Sequence, residues 1–124
     1  MIDFKNGVIF KLKQTDTQNG VKLVQELLLD GEQVLAAYKG IRDYVVFTDK
    51  RAISVNVQGV TGKKRDYSSL PYASVSAFSV ETPGLGDIDG QLDLWYSGLG
   101  KIHFEFSGGS NVTQIAQLIS QYAL

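Results

Sequence analysis

Apolar and polar residues alternate over much of this chain, in short runs separated by turn residues. In the run 92–96, three apolar residues alternate with Asp93 and Trp95, and in the run 102–106 three alternate with His103 and Glu105. A period of two is typical of half-buried β-strands. Five earlier runs have strand character too, so the pattern predicts seven strands, at 33–39, 44–48, 51–57, 63–70, 73–82, 92–96 and 102–106.

Two other segments have the spacing of amphipathic helices. Apolar residues recur every three or four positions from Val21 to Leu28, and Asp30-Gly31 supplies a stop, which predicts a helix over 16–29. A second apolar stripe runs from Val112 to Ala123, behind a capping box in which Asn111 pairs with Gln114. Residues 8–12 are less regular and fit either a short strand or an arm packed on the body of the domain.

Turn residues fix the expected connections between strands. Asp49-Lys50 separates two strands and predicts a tight hairpin. The apolar phase slips between 75–77 and 78–80, which predicts a bulge. A three-residue loop at 98–100 would pair apolar residues with each other along the last hairpin, as Tyr96 with Ile102, Leu94 with Phe104 and Leu92 with Phe106.

The arrangement predicted from these elements is mainly β within the α+β class. Seven antiparallel strands would form two near-orthogonal sheets, or a partly open barrel, with the C-terminal helix covering one end. Residues 1–30 would form an N-terminal arm and helix packed on a domain spanning 31–124, and the whole chain would be one domain.

Local residues connect this architecture to a known family. The segment 42–51 reads RDYVVFTDKR, and the segments 70–75 and 78–81 read LPYASV and FSVE. Together they resemble the hairpin and the following segment of the bacterial pleckstrin-homology-like (PH-like) family, over about residues 31–124. The resemblance implies a PH-like superfold, no known enzymatic activity, and a tendency to self-assemble into cyclic homo-oligomers.

Composition narrows the classes of function. The chain has no cysteine, which excludes a disulfide framework, thiolate metal ligands and a cysteine nucleophile. Its 12 basic and 13 acidic residues leave a net charge of −1, without the basic excess of a nucleic-acid binder. Neither a signal peptide nor a membrane-spanning run is visible, so we expect a cytoplasmic protein.

The outward side of the last hairpin is the strongest candidate surface. In the register above, Trp95 lies opposite His103 and Asp93 lies opposite Glu105. Exposed tryptophan is enriched at interfaces, and two opposed acids need a neutralising partner. That partner is either a basic residue of a neighbouring subunit or a covering N-terminal segment of the same chain.

A second candidate surface is the basic run Lys63, Lys64 and Arg65. It supports an alternative function as a peripheral binder of anionic membrane lipid. PH domains that bind phosphoinositides carry basic residues in the loop between their first two strands, and here that loop has only Lys39 and Arg42. Lipid binding is therefore the second hypothesis.

Catalysis and metal binding have less support. His103 is the single histidine and could act with Asp93 or Glu105, but no nucleophile motif accompanies it. The segment 87–90 has part of a calcium-loop pattern without its terminal glutamate, and 59–63 has the wrong glycine spacing for a P-loop. We therefore predict neither cofactor nor metal, and favour a non-catalytic protein-binding or scaffold module that self-assembles.

Overall fold

Eight strands form one continuous open sheet in the described part of the chain. The computed structural model describes residues 1–2, 8–60, 62–82, 90–107 and 111–124, and for residues 8–10 the backbone alone. The strands lie in the spatial order β5-β4-β3-β2-β1-β8-β7-β6. Their bounds are β1 Val8–Thr15, β2 Val34–Lys39, β3 Asp43–Thr48, β4 Arg51–Gln58, β5 Lys64–Pro71, β6 Val75–Glu81, β7 Gly90–Tyr96 and β8 Gly100–Phe106.

The seven strands expected from the sequence are all present, and β1 adds an eighth at the centre of the sheet. β1 pairs antiparallel with β2 and parallel with β8, so it joins the two halves. The expected mainly β arrangement with an N-terminal and a C-terminal helix is confirmed. Of the two forms expected for the strands, two near-orthogonal sheets or a partly open barrel, the structure has one open sheet that β1 makes continuous. The alternating pattern of β1 is hard to see because its pairing with β8 shifts register between Ile9 and Leu12.

The main core lies between one face of the sheet and the C-terminal helix α2 (Val112–Ala123). Phe47, Phe104 and Phe106 are fully buried there, in one core cluster with Ile115 and Ile119 of α2. The predicted cap is present, since the Asn111 side chain accepts a hydrogen bond from the Gln114 N–H at 3.2 Å. We call this face of the sheet the inner face.

The N-terminal helix α1 (Thr17–Val24) covers the outer face of β2–β5. Val24 packs there on Ala37, Val46 and Ile53. Gly20 permits this close approach, because a Cβ atom at that position would lie 2.8 Å from the Ala37 Cβ.

Helix α1 is shorter than the predicted 16–29 and ends at Val24. The reason is tertiary: the Leu27 carbonyl accepts a hydrogen bond from Arg51 at 2.7 Å, and the Leu29 N–H donates to Glu32 at 3.0 Å. The Leu29 N–H is therefore taken by a side chain instead of by the Gln25 carbonyl of a further helical turn. The predicted stop at Asp30-Gly31 therefore does not end the helix, and Gly31 lies in a later turn with a left-handed φ of 80°.

The predicted bulge in the fifth run is present but lies earlier. Residues Tyr72–Ser74 form a short 3-10 helix, and β6 begins at Val75. The pairing of β6 with β7 shifts register between Val75 and Ala77. Among the described residues, no helix is both long and apolar enough to cross a membrane.

Candidate functional site

The last hairpin has a register that differs by two residues from the predicted one. Trp95 lies opposite Lys101 and Asp93 lies opposite His103, and the turn is formed by 97–99. The predicted pairs of Trp95 with His103 and of Asp93 with Glu105 are therefore wrong. The predicted apolar pairs are wrong for the same reason, and the observed ones are Leu94 with Ile102 and Leu92 with Phe104. Because a shift of two keeps every side chain on its own face, the alternating pattern cannot distinguish these two registers.

Five side chains meet on the outer face of this hairpin, which we call the outer patch: Trp95, Lys101, Asp93, His103 and Glu105. His103 Nδ1 lies 2.6 Å from Asp93 Oδ1, and its Nε2 lies 3.3 Å from Glu105 Oε1. The imidazole therefore separates the two acids that were expected to oppose each other. A carboxylate only accepts hydrogen bonds, so both contacts are hydrogen bonds when the ring carries two protons.

Lys101 links the acidic part of the outer patch to Trp95. Its Nζ lies 4.0 Å from Asp93 Oδ1 and 5.7 Å from the centroid of the Trp95 ring. Trp95 nevertheless remains 37% exposed, on a strand whose inner neighbours Leu94 and Tyr96 are buried. A strand paired on both sides thus carries a large aromatic ring at the surface.

Helix α1 does not cover the outer patch, because α1 packs on β2 and β3. Helix α2 contacts β6 and β7, and its apolar residues belong to the inner core. Helix α1, one of the two segments expected from the sequence to cover this patch, therefore lies over the other half of the sheet. The arm residues 3–7 lie outside the described part of the chain.

The basic run 63–65 is divided between the two faces of the sheet. Arg65 alternates with Asp66 and lies on the outer face beside Tyr67, where it lines a recess together with Lys63 and Lys22 of α1. Lys64 lies on the opposite side of strand β5. The run therefore does not form a single three-residue surface.

Sequence reasoning missed the most highly connected buried polar group, Glu32. Arg51 donates two hydrogen bonds to its carboxylate, from Nε and Nη2, each at 3.0 Å. Thr48 donates a third at 2.7 Å, and the Glu32 side chain is fully buried. We call Glu32, Thr48 and Arg51 the Glu32 cluster. Its signal in the sequence is Thr48 and Arg51 of the segment 47–51. Part of the motif that carries the family resemblance therefore has a structural role.

The Glu32 cluster makes stability depend on pH in a defined direction. Burial acts to raise the pKa of Glu32, but hydrogen bonds from Arg51, the Leu29 N–H and Thr48 outweigh it and hold this pKa below its ordinary value. A carboxyl group whose pKa is lowered by folding stabilises the folded state above its unfolded-state pKa. That stabilisation is lost as the pH falls through the folded-state pKa.

We expect Glu32→Gln to lower the free energy of unfolding by about 2 kcal/mol at neutral pH, because a charge-assisted bidentate contact is lost. The difference from wild type should begin to shrink as the pH falls below about 4, where the unfolded carboxyl is protonated. It should be lost below the lowered folded-state pKa, where the wild-type carboxyl is neutral in both states. Urea unfolding at a series of pH values measures this. A difference that stays constant from neutral to acid pH would contradict the role given to the ionised carboxylate.

Metal binding finds no geometric support within the described ranges. No group of three or more histidine, aspartate or glutamate side chains is arranged there to hold a metal ion. The acidic turn considered as a partial calcium loop, 87–90, lies outside the described residues except for Gly90.

Comparison with known proteins agrees with the fold. The sequence profile of the family described as "Bacterial PH domain" matches residues 3–123, so the match begins well before the region of resemblance found in the sequence. An uncharacterized protein, YjqA of Bacillus subtilis (strain 168), is 40% identical over 119 residues, which cover 94% of this chain and 95% of that protein.

Two solved structures are also similar. A protein with a pleckstrin-homology domain from Shewanella loihica PV-4 superposes with a TM-score of 0.78 at 37% identity, covering 92% of this chain and 98% of the other. A pleckstrin homology domain from Shewanella amazonensis SB2B gives a TM-score of 0.67 at 41% identity, covering 89% and 90%. The open sheet with its C-terminal helix, the profile match and these relatives together show that the chain belongs to the bacterial PH domain family.

Proposed function

We propose that this protein is a non-catalytic, cytoplasmic PH-like module that binds proteins and self-assembles into a cyclic homo-oligomer through its outer patch. The observation that carries the proposal is Trp95, which is 37% exposed on a strand paired on both sides. Tryptophan is among the residues that contribute most to interfaces when buried. An exposed tryptophan on a regular sheet face therefore supports a contact surface.

The side chains around Trp95 already contact one another within the single chain. Lys101 is held between Asp93 and the tryptophan ring, and His103 is held between two carboxylates. Fixing side chains during association costs about 0.5 to 1.5 kcal/mol each. A patch whose charged groups already contact one another loses less entropy when a partner covers it.

The edge of the sheet next to the outer patch supports the same proposal. β6 is the last strand in the order and pairs only with β7 among the described strands. An edge strand carries backbone groups that can pair with another chain. A patch and an edge that meet a different surface of the next subunit make a heterologous contact. Such contacts form a ring when the rotation between subunits closes, as the proposal requires.

The geometry around His103 supports a role other than catalysis. A general base needs a nitrogen directed at the proton it removes. Here both ring nitrogens face carboxylate oxygens, at 2.6 and 3.3 Å. The third hypothesis from the sequence, an enzyme using His103 with Asp93 or Glu105, is therefore not favoured.

Size-exclusion chromatography with light scattering tests the proposal. We expect the wild-type protein to elute as one species with a mass several times 13.6 kDa at tens of micromolar. A strict monomer over the same concentration range would overturn the self-assembly proposal.

A further inference from the structure

A groove runs between helix α1 and the strands beneath it, on the outer face of β2–β5. One part of it, about 620 Å³ in volume, is lined by Lys22, Lys63, Arg65 and Tyr67. A second part, of about 330 Å³, is lined by Lys22, Arg65, Lys39 and Tyr44. Since Lys22, Leu23 and Arg65 line both parts, the two are continuous. We call this the basic groove, after Lys22, Lys39, Lys63 and Arg65.

The floor of the basic groove follows from strand register. Lys39 pairs with Tyr44, Tyr44 with Val55 and Val55 with Tyr67, so these four side chains form a row across β2–β5. The Lys39 Nζ lies 5.9 Å from the centroid of the Tyr44 ring. The Tyr67 hydroxyl donates a hydrogen bond to the Leu23 carbonyl at 3.4 Å, which connects the floor to α1. The site is therefore assembled from four strands and a helix, not from one exposed charged run.

The positive charge of the basic groove is not neutralised by the described part of the chain. Its lining has four cationic side chains and one carboxylate, Glu26. None of the four cations has an acidic group within 4.0 Å among the described residues, whereas Arg51 and Lys101 do. In a chain of net charge −1, this is a local concentration of positive charge. Concave charged surfaces focus the field and attract ions of opposite sign.

We infer that the basic groove binds a compact anion carrying two or more phosphate groups. Arginine presents a planar fork that matches phosphate oxygens, and lysine supplies point charges around it. Asn19 and Gln25 add amide donors at the rim. The volume of each part lies within the range of small-molecule sites, which favours a compact anion.

The shape of the groove distinguishes this ligand from a flat anionic membrane. Lys64 lies on the other face of the sheet, so the run 63–65 cannot present all of its charges to one plane. The groove instead continues past Lys39 into an adjoining recess lined by Lys11 and Lys13. A phosphorylated headgroup and a soluble polyphosphate carry the same phosphate chemistry, and experiment separates these two sources.

Isothermal titration calorimetry with inorganic tripolyphosphate at low salt tests the inference. We expect saturable binding that weakens as salt is added. Arg65→Gln and Lys22→Gln should each weaken it about tenfold, because each removes a charge-assisted contact. Lys64→Gln is the matched control, since it removes the same charge from the adjacent position on the opposite face, and it should leave the affinity within about twofold. All three positions are exposed, so the variants should fold.

Two further probes identify the source of the phosphates. The first probe is cosedimentation with vesicles of phosphatidylcholine and a phosphorylated phosphoinositide. Binding to these vesicles that Arg65→Gln weakens supports a lipid headgroup in the groove. Tripolyphosphate binding without vesicle binding supports a soluble ligand. Any of three results would overturn the inference. These are no binding to tripolyphosphate or to the vesicles, equal weakening of binding by Lys64→Gln, and tighter binding of a single-stranded oligonucleotide than of tripolyphosphate. The groove is separate from the outer patch, so Trp95→Ala should retain binding whether or not the protein self-assembles.

Discussion

Replacing Arg51 with alanine is expected to lower the free energy of unfolding by about 3 kcal/mol, the largest stability effect that we predict. The Glu32 side chain is fully buried and would lose two hydrogen bonds of 3.0 Å and its opposite charge. The Leu27 carbonyl would lose its 2.7 Å contact as well, which loosens the segment between α1 and β2. Urea unfolding followed by circular dichroism measures the change.

Lys50→Ala is the matched control for Arg51→Ala. Lys50 is the exposed neighbour in the same turn, and the contribution it makes to the Glu32 cluster is its backbone N–H, which donates to Thr48 at 3.0 Å. That N–H survives the substitution, so the effect should stay within about 0.5 kcal/mol. If Arg51→Ala cost no more than Lys50→Ala, the cluster would not hold the hairpin to the preceding loop.

Replacing Trp95 with alanine is expected to shift assembly to much higher concentration. Truncating a tryptophan at the centre of an interface costs about 2 kcal/mol or more, which weakens each contact roughly thirtyfold. Trp95 is exposed and its inner neighbours are unchanged, so the variant should keep its fold. Sedimentation velocity of wild type and variant at matched concentrations measures the shift.

Leu35→Ala is the control for this effect. Leu35 is 41% exposed, close to the 37% of Trp95, but it lies on β2 beside α2. It should leave assembly unchanged. Unchanged assembly of Trp95→Ala, or equal loss in both variants, would remove the outer patch from the interface.

The sequence predicts strands and faces better than it predicts partners within the sheet. Seven strand runs are confirmed because each carries its own alternation or turn residues. β1 stayed ambiguous, because its pairing with β8 is interrupted and its neighbours are distant in sequence. The register of the last hairpin was wrong because Leu94 finds an apolar partner equally well at Ile102 or at Phe104.

Tertiary contacts explain the other differences. The spacing of apolar residues continues to Leu28, so nothing local indicates that α1 ends at Val24. The end depends on Glu32, which accepts the Leu29 N–H and is bound by the distant Arg51. The basic groove was hidden for the same reason. Lys22 and Lys39 lie beside Arg65 only when the helix and the strands are packed together. The residues of the run 63–65, in contrast, are adjacent in the sequence.

Native mass spectrometry of the wild-type protein tests the central claim of self-assembly most directly. A closed ring has one subunit number, so we predict a single dominant species whose mass is a whole multiple of 13.6 kDa at every concentration where assembly occurs. The Trp95→Ala protein should appear mainly as the 13.6 kDa monomer under the same conditions. A wild-type spectrum that contains only monomer, or an open-ended ladder of sizes, would contradict the account.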